Sequence, residues 1–187
     1  EEMREISDFT REMGCDAVGL HIGVVPHDRN DPERPGIVEV TRQLCQHCAG
    51  NDQFVHLETG QETADDLIDF INEVGFDNLR INFDPANMIL YGMEEPLAAL
   101  RKLAPWVRSV HCKDATWSDQ PGVTWGQEVA LGEGEVNIRA YVQTLHEIGY
   151  TGPLTIEREI PQDPERQLRE IGSAVRLLED CLREIHA

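Results

Sequence analysis

Long apolar runs are absent from this sequence: none approaches the roughly 20 residues that a helix needs to span a bilayer. The first residues, Glu1 to Arg4, do not follow a signal-peptide pattern. Basic residues are scarce, with 16 Lys and Arg against 35 Asp and Glu and a formal net charge of -19. A field of this sign repels phosphate backbones and anionic lipid headgroups. The sequence therefore predicts a cytoplasmic protein that binds neither nucleic acid nor membrane.

Cysteine is sparse and odd in number, with five residues along the chain, which indicates reduced thiols rather than a disulfide framework. Cys45 and Cys48 have the C-x-x-C spacing of redox and zinc sites, but no second pair follows to complete a tetrahedral set. Residues three apart share a face of a helix, so two small buried thiols are the favoured explanation. A metal or redox role for this pair is the weaker alternative.

The 187 residues alternate between strand-like and helix-like segments, and no linker divides them, which predicts one domain over residues 1–187. The predicted strands are Ala17 to Val25, Phe54 to Glu58, Asn78 to Phe83, Val107 to Lys113 and Pro153 to Ile160. The predicted helices are Glu1 to Met13, Ile37 to Ala49, Ala64 to Val74, Glu94 to Leu103, Ile138 to Ile148 and Pro164 to Ile185. Thr63 and Asn137 are predicted N-caps, and Gly75 and Gly149 are predicted helix ends. The alternation predicts a parallel sheet in an α/β fold.

Loop lengths indicate where the site lies. The segments after strands are long, notably 26–36 and 115–136, whereas the turns from helix to strand at 75–77 and 149–152 are short. Long irregular segments inside a compact domain are usually functional. In α/β barrels the carboxyl ends of the strands form the active site, and the long loops fall at that end.

Four strands each carry an apolar face and a polar face, because successive side chains of a strand point to opposite sides. The acidic or imidazole groups near the carboxyl ends of these polar faces are Glu58, Asp84, His111 and Glu157. If the four faces meet, they form an oxygen-rich site with one nitrogen donor, suited to one divalent cation. Mn²⁺ is favoured over Mg²⁺, Co²⁺ and Zn²⁺. Alternatively, inward-facing charges pair among themselves, with Arg80, Lys113 and Arg158 as partners.

Five short motifs resemble the successive signatures of the sugar phosphate isomerase/epimerase family, the xylose isomerase-like TIM barrels. They are His56-Leu57-Glu58-Thr59-Gly60, Asn82-Phe83-Asp84-Pro85-Ala86-Asn87, Val110-His111-Cys112-Lys113-Asp114, Leu131-Gly132-Glu133-Gly134-Glu135 and Thr155-Ile156-Glu157. The resemblance covers essentially the whole chain. It implies a TIM-type (β/α)8 barrel and an enzyme that isomerises or epimerises a small sugar, sugar acid or sugar phosphate.

The resemblance also implies residue roles. The positions that match the family's ligands to one divalent metal are Glu58, Asp84, His111 and Glu157. In that family the two glutamates also act as an acid/base pair. Here Glu58 and Glu157 would therefore move a proton through an enediolate that the metal stabilises.

Four further residues are predicted to bind a small carbohydrate substrate: His21, Asn87, Lys113 and Trp125. Each has a structural alternative. His21 would be a satisfied core histidine, and Lys113 would pair with a neighbouring carboxylate. Asn87 stands where some ketose epimerases have histidine, which puts their substrate in doubt. Trp125 would either wall the pocket or cover the barrel rim.

An eight-stranded barrel takes about 250 residues, and only five strands are predicted here. They resemble strands four to eight, so we expect a partial barrel, either part of a longer protein or completed by another copy in a homo-oligomer. A sheet with open edges invites such pairing.

Three alternatives to the isomerase remain at this stage. A dehydratase of the same fold begins with the same proton abstraction and then expels a hydroxyl group. A non-catalytic barrel fragment would bind metal or sugar without turnover. Phosphodiester hydrolysis, as in the related endonuclease IV barrels, is weaker because it calls for a basic DNA-binding face.

Overall fold

The computed structural model describes residues 1–185 and contains one five-stranded parallel sheet and one two-stranded hairpin. The strands are β1 (Ala17–Leu20), β2 (Phe54–Glu58), β3 (Leu79–Phe83), β4 (Val107–Cys112), β5 (Asp114–Thr116), β6 (Gln127–Val129) and β7 (Leu154–Ile156). The helices are α1 (Glu2–Glu12), α2 (Arg34–Gly50), α3 (Ala64–Val74), α4 (Pro85–Leu90), α5 (Pro96–Leu103), α6 (Ile138–Glu147) and α7 (Pro164–Ile185). The predicted α/β alternation with a parallel sheet is confirmed.

The sheet has the order β1-β2-β3-β4-β7 and curls into a half-barrel. Leu79, Ile81 and Phe83 of β3 are fully buried beneath the helices, whereas Arg80 and Asn82 on the opposite face are partly exposed. The long helices follow one another around the outside, each against the next, as α1, α2, α3, α5, α6 and α7. The assignment of these strands as four to eight of a complete barrel stays a prediction.

Helix ends follow local chemistry that the sequence displays. Thr63 and Asp66 form a reciprocal capping box at the start of α3, which ends at Gly75 in a left-handed conformation (φ 73°). Asn137 caps α6 by accepting a hydrogen bond from the backbone N–H of Ala140. Gly149 follows the C-cap of α6 with φ 76°. These four predicted helix ends are confirmed.

Two predicted strands are too long. β1 ends at Leu20 rather than at Val25, because the chain turns at Gly23 (φ 84°) and the Val25 N–H bonds to the Glu62 side chain instead of a strand. β7 ends at Ile156 rather than at Ile160, since the Glu159 N–H donates to the Glu128 carboxylate. In both segments a side-chain carboxylate, rather than a neighbouring strand, accepts a backbone N–H beyond the end of the strand.

Two elements lie where the sequence analysis placed a loop or no element. Helix α4 starts directly after β3, with Asp84 as its N-cap and Pro85 at its first position, where the missing N–H is no loss. The segment 115–136, predicted as irregular, contains the antiparallel β5–β6 hairpin. Both elements adjoin the carboxyl ends of the sheet.

The cysteines of residues 1–185 are free thiols, as predicted. Cys45 and Cys48 lie in α2 and are fully buried in the hydrophobic core. Burial raises the pKa of Cys45 to about 12. The C-x-x-C pair is therefore a packing feature. No helix among residues 1–185 is both long and apolar enough to cross a membrane.

Apolar grooves flank both edges of the sheet. One, of about 780 Å³, lies beside β1 and is lined by residues such as Leu20, Ile37 and Val40. The other, of about 620 Å³, lies between α6, α7 and β7. Neither groove is lined by a predicted metal ligand, so the predicted site lies away from both.

Candidate metal centre

The carboxyl ends of four parallel strands bring four ligand-type side chains together. Glu58 is the last residue of β2, Asp84 follows β3, His111 lies in β4 and Glu157 follows β7. One donor atom from each lies within 4.8 Å of the other three. The His111 Nδ1 is 3.4 Å from Glu58 Oε1, 3.3 Å from Asp84 Oδ2 and 3.1 Å from Glu157 Oε2. The predicted convergence is therefore present.

Asp84 is the most rigidly held of the four. Its side chain is fully buried, and its Oδ1 accepts hydrogen bonds from the N–H groups of Ala86 and Asn87. The Thr59 hydroxyl also donates to the Asp84 carbonyl and accepts from the Asp84 N–H. Helix α4 thus fixes one carboxylate oxygen and leaves Oδ2 directed at His111.

Glu58 is held through a single oxygen. Its Oε1 is 3.3 Å from the Nε2 of His21 and accepts a 3.2 Å hydrogen bond from the amide of Asn87. The Asn87 amide also donates to the Thr59 carbonyl at 2.9 Å. Asn87 is buried, and both of its amide hydrogens have protein acceptors. Two of the predicted substrate-binding residues, His21 and Asn87, therefore contact the Glu58 carboxylate.

Glu157 is also held through one oxygen. Its Oε2 accepts a 3.0 Å hydrogen bond from the Lys113 ammonium as well as contacting His111. Lys113 donates to Glu159 at 2.8 Å, and its side chain is only 3% exposed. The predicted pairing of Lys113 with neighbouring carboxylates is present. It leaves the ammonium group beside the four-residue cluster.

The three carboxylates create a centre that strongly attracts cations. Burial lowers the pKa of His111, but hydrogen bonds to Asp84, Glu157 and Glu58 outweigh this effect and raise the pKa to about 11. The hydrogen bond from His111, against the cost of burial and with help from Lys113, lowers the pKa of Glu157 to about 2. Burial opposes ionisation of Glu58, yet hydrogen bonds from His111 and His21 hold its pKa well below the ordinary value.

The charges and donor atoms of the four residues decide whether they fit a divalent ion. The His111 Nδ1 lies at the meeting point of three carboxylates, whose negative charges together attract a cation. One nitrogen and several carboxylate oxygens form a donor set for Mn²⁺, Mg²⁺, Co²⁺ or Zn²⁺. The residues Glu58, Asp84, His111 and Glu157 therefore fit one divalent cation.

The other predicted residues lie farther from this centre. Trp125 is 71% exposed, and its ring meets the edge of Tyr91 with centroids 5.3 Å apart. It lies in the segment between β5 and β6, within the long loop that the sequence analysis singled out. Arg80 and Arg158 do not pair with the cluster: Arg80 donates to the Leu79 carbonyl, and Arg158 is held by Glu128 and Glu170.

Two residues next to the centre were missed by the sequence analysis. Tyr91 is half-buried, and the charges of Lys113, Glu159, Asp84 and Glu58 act on it. The Asn82 amide lies 3.0 Å from the Nε2 of His111, on the far side of the ring from the carboxylates. Two signals were available for Asn82: the parity of β3 places it on the polar face, and it begins the motif that contains Asp84.

The β5–β6 hairpin is attached to the centre through two acidic side chains. Asp114 is buried, and its carboxylate accepts from the N–H groups of Ala115, Gly132, Gly134 and Val136. A Cβ on Gly134 would collide with this carboxylate, which explains the glycine. Glu128 of β6 accepts from Arg158 and from the Glu159 N–H, next to Glu157.

The family model for the xylose isomerase-like TIM barrel matches residues 1–181, so the chain belongs to this family and has a TIM-barrel-like fold. A crystal structure of a xylose isomerase domain protein from Planctomyces limnophilus shares 53% identity with a TM-score of 0.92. The alignment covers 99% of this chain and 64% of that chain.

Two more distant proteins are also similar to this chain. A xylose isomerase-like TIM barrel protein from Mycobacterium smegmatis, solved in complex with magnesium, has 22% identity and a TM-score of 0.73, covering 96% of this chain and 66% of that one. The 3-dehydroshikimate dehydratase of Bacillus anthracis is 26% identical over 142 residues, which are 68% of this chain and 50% of the relative. The chain thus spans about half the length of this curated relative.

Proposed function

We propose that this chain carries the metal-binding and proton-transferring part of an isomerase or epimerase that acts on a small sugar, sugar acid or sugar phosphate. One observation carries the proposal: two glutamates flank one imidazole, and each is tied to it through a single oxygen. Glu58 uses Oε1 and Glu157 uses Oε2. Among residues 1–185, no protein hydrogen bond engages the second oxygen of either glutamate.

The proposed ligands of the divalent cation are Glu58, Asp84, His111 and Glu157, with Mn²⁺ as the favoured ion. When bound, the cation would polarise a carbonyl group and an adjacent hydroxyl group, which acidifies the C–H bond between them. The magnesium complex of the Mycobacterium protein supports a divalent ion in this fold.

The chain's own side chains would move the proton. One glutamate abstracts it from the substrate carbon, and the other returns it to the other face or to the neighbouring carbon. The second oxygens, Glu58 Oε2 and Glu157 Oε1, have no protein partner among the described residues and are the atoms proposed for this role.

The neighbouring residues would bind and orient the substrate. His21, half-exposed beside Glu58, is proposed to hydrogen-bond a substrate hydroxyl group. Lys113 is proposed to face the negative charge that develops on the substrate oxygen, while holding Glu157. Asn87 is proposed to act on the substrate through Glu58, which its amide orients. Trp125, exposed on Tyr91, is proposed to cover the sugar ring face.

A dehydratase is the second candidate, because the Bacillus relative carries that name. The same two glutamates would serve: proton abstraction is followed by loss of the hydroxyl group on the next carbon as water. Product analysis separates the candidates, since a dehydratase product is lighter by one water molecule and an isomerase product is not.

The first test is metal binding by the full 187-residue chain, using Mn²⁺ titration and elemental analysis. We expect one equivalent to bind, with most of the affinity lost in Glu58→Gln and His111→Ala. Glu179→Gln is the matched control, since Glu179 is an exposed glutamate of α7, and it should bind as the unaltered chain does. Absence of specific binding by the folded, unaltered chain would remove the metal centre from the proposal.

The second test is exchange of a substrate proton with deuterated water. Hydroxy-carbonyl sugars are incubated with the Mn²⁺-loaded chain, and incorporation of deuterium at the carbon next to the carbonyl is measured by NMR. We expect exchange that Glu157→Gln abolishes. Metal binding without exchange of any tested sugar would instead indicate a non-catalytic metal-binding domain.

A further inference from the structure

The imidazole of His111 has two different environments. Its Nδ1 faces the carboxylates of Glu58, Asp84 and Glu157 at 3.1 to 3.4 Å. Its Nε2 lies 3.0 Å from the side-chain amide nitrogen, Nδ2, of Asn82. A metal held by the cluster would therefore bind His111 through Nδ1. A neutral imidazole that binds metal through Nδ1 carries its hydrogen on Nε2.

The hydrogen on Nε2 needs an acceptor, and the Asn82 amide is the group in place. An amide offers an oxygen acceptor or an N–H donor to the same neighbour, depending on a half-turn of its plane. In this structure the N–H of Asn82 Nδ2 faces Nε2, which favours the tautomer that carries its hydrogen on Nδ1 and blocks that atom. An oxygen facing Nε2 favours the tautomer that leaves Nδ1 open to the metal.

The position of Asn82 makes it suited to this role. It lies in β3 opposite Glu58 of β2 and Ser109 of β4, and so sits between the two strands that carry ligands. The sheet register shifts between Ile81 and Asn82. The neighbouring Ser109 hydroxyl contacts His56 at 2.9 Å, so Asn82 and not Ser109 supports the metal-facing ring.

We propose that Asn82 is a positioning residue that sets the tautomer of His111: when the divalent cation binds, a half-turn of the Asn82 amide presents Oδ1 to the Nε2 hydrogen, so that Nδ1 is free for the cation. The inference rests on the proposed metal centre and adds a residue outside its four ligands. Loss of a residue that hydrogen-bonds to a metal ligand commonly changes metal affinity by about 10- to 100-fold.

The test compares Asn82→Leu, which removes the acceptor at similar size, with Asn82→Asp, which keeps an oxygen. Ser109→Ala is the matched control, because Ser109 lies beside Asn82 on the same face and contacts a different histidine. We expect Asn82→Leu to weaken Mn²⁺ binding by about 10- to 100-fold. Asn82→Asp should retain most of the affinity, and Ser109→Ala should not change it.

A second measurement reports the tautomer directly. In the ¹⁵N-labelled chain loaded with diamagnetic Zn²⁺, the His111 resonances should show a metal-bound Nδ1 and a protonated Nε2. A metal-bound Nε2 would overturn the inference even if no variant folds.

The outcomes separate this inference from the proposed function. Strong Mn²⁺ binding by the unaltered chain and equally by folded Asn82→Leu would overturn the role of Asn82 and leave the metal centre in place. Failure of the unaltered chain to bind Mn²⁺ or Zn²⁺ would overturn both.

Discussion

The carboxylates at the centre use their two oxygen atoms differently. Asp84 gives one oxygen to the amino end of α4 and the other to His111. Glu58 and Glu157 each give one oxygen to the imidazole. Each glutamate is thus anchored through one oxygen, so the proton transfer that we propose for the other oxygen would leave the anchor in place.

The buried carboxylate of Glu62 fixes the segment after β1, and its burial costs stability. Its carboxylate is 3% exposed and accepts from the Val25 N–H at 2.9 Å, which fixes the segment that follows β1. Burial raises the pKa of Glu62 above its ordinary value of 4.5, against that hydrogen bond. The folded chain therefore binds this proton more tightly than the unfolded chain, and stability falls as the pH rises through this window.

Glu62→Gln keeps an oxygen for Val25 and removes the buried charge. We expect it to raise the melting temperature at neutral pH, with a gain that shrinks as the pH falls toward 4.5. Thermal unfolding from pH 4 to pH 8 measures this. Glu12→Gln, at an exposed position of α1, is the control and should show no such trend. A constant or inverted pH trend for Glu62→Gln would contradict the prediction.

At the scale of elements, the β5–β6 hairpin is secured by one carboxylate. Asp114 accepts four backbone N–H groups drawn from β5 and from the segment that leads to α6. These donors lie where the chain has no strand partner to satisfy them. The Asp114 carboxylate thus accepts the hydrogen bonds that a neighbouring strand would otherwise accept.

Asp114→Ala should therefore be strongly destabilising, because it leaves several buried N–H groups without acceptors. We expect a loss of about 3 kcal/mol in the free energy of unfolding, since each such group costs about 1 to 3 kcal/mol. Denaturant unfolding measures this. Asp119→Ala, an exposed position in the same segment, should change stability little; equal effects of the two variants would show that the buried hydrogen bonds are unimportant.

The sequence predicted some elements well because their signals are local. β2 and α3 were placed to the residue, since each has a clear period and punctuation such as Thr63 and Gly75. The polar faces of the strands made Glu58, Asp84, His111 and Glu157 candidates for a common site, and the family resemblance implied that they bind one metal. Alternate residues of a strand point to the same face of the sheet, so the sequence alone predicts which side chains share a face.

Other features depended on tertiary partners and left no local signal. Helix α4 spans six residues, too few for a helical period to show, and β6 spans three. The apolar run after β1 continues the strand pattern, and only the turn at Gly23 and the contact with Glu62 end it. Asn82 carries no mark of its role, because its importance comes from a ring on another strand.

At the scale of the whole molecule, the five-stranded sheet has two open edges, β1 and β7, each beside an apolar groove. Exposed edge strands pair readily with other strands. Large hydrophobic side chains that line these grooves remain exposed, including Val40 at 67% and Leu182 at 41%.

We therefore expect the chain to self-associate as its concentration rises, as measured by analytical ultracentrifugation. Val40→Lys places a charge in the groove beside β1 and should shift the population toward monomer. Val123→Lys is the control, because Val123 is equally exposed but lies outside both grooves. A chain that stays monomeric throughout would contradict the expectation.

The β5–β6 hairpin has a hydrogen-bonded base and a connecting segment, and substitutions in these two parts would have different effects. Asp114 and Glu128 hold its base, and Trp125 lies on the segment between its strands. Residues 118–125 take no part in the hydrogen bonds of this base. If Trp125 covers the sugar as proposed, substitutions in this segment would alter substrate preference and leave the four proposed metal ligands unchanged.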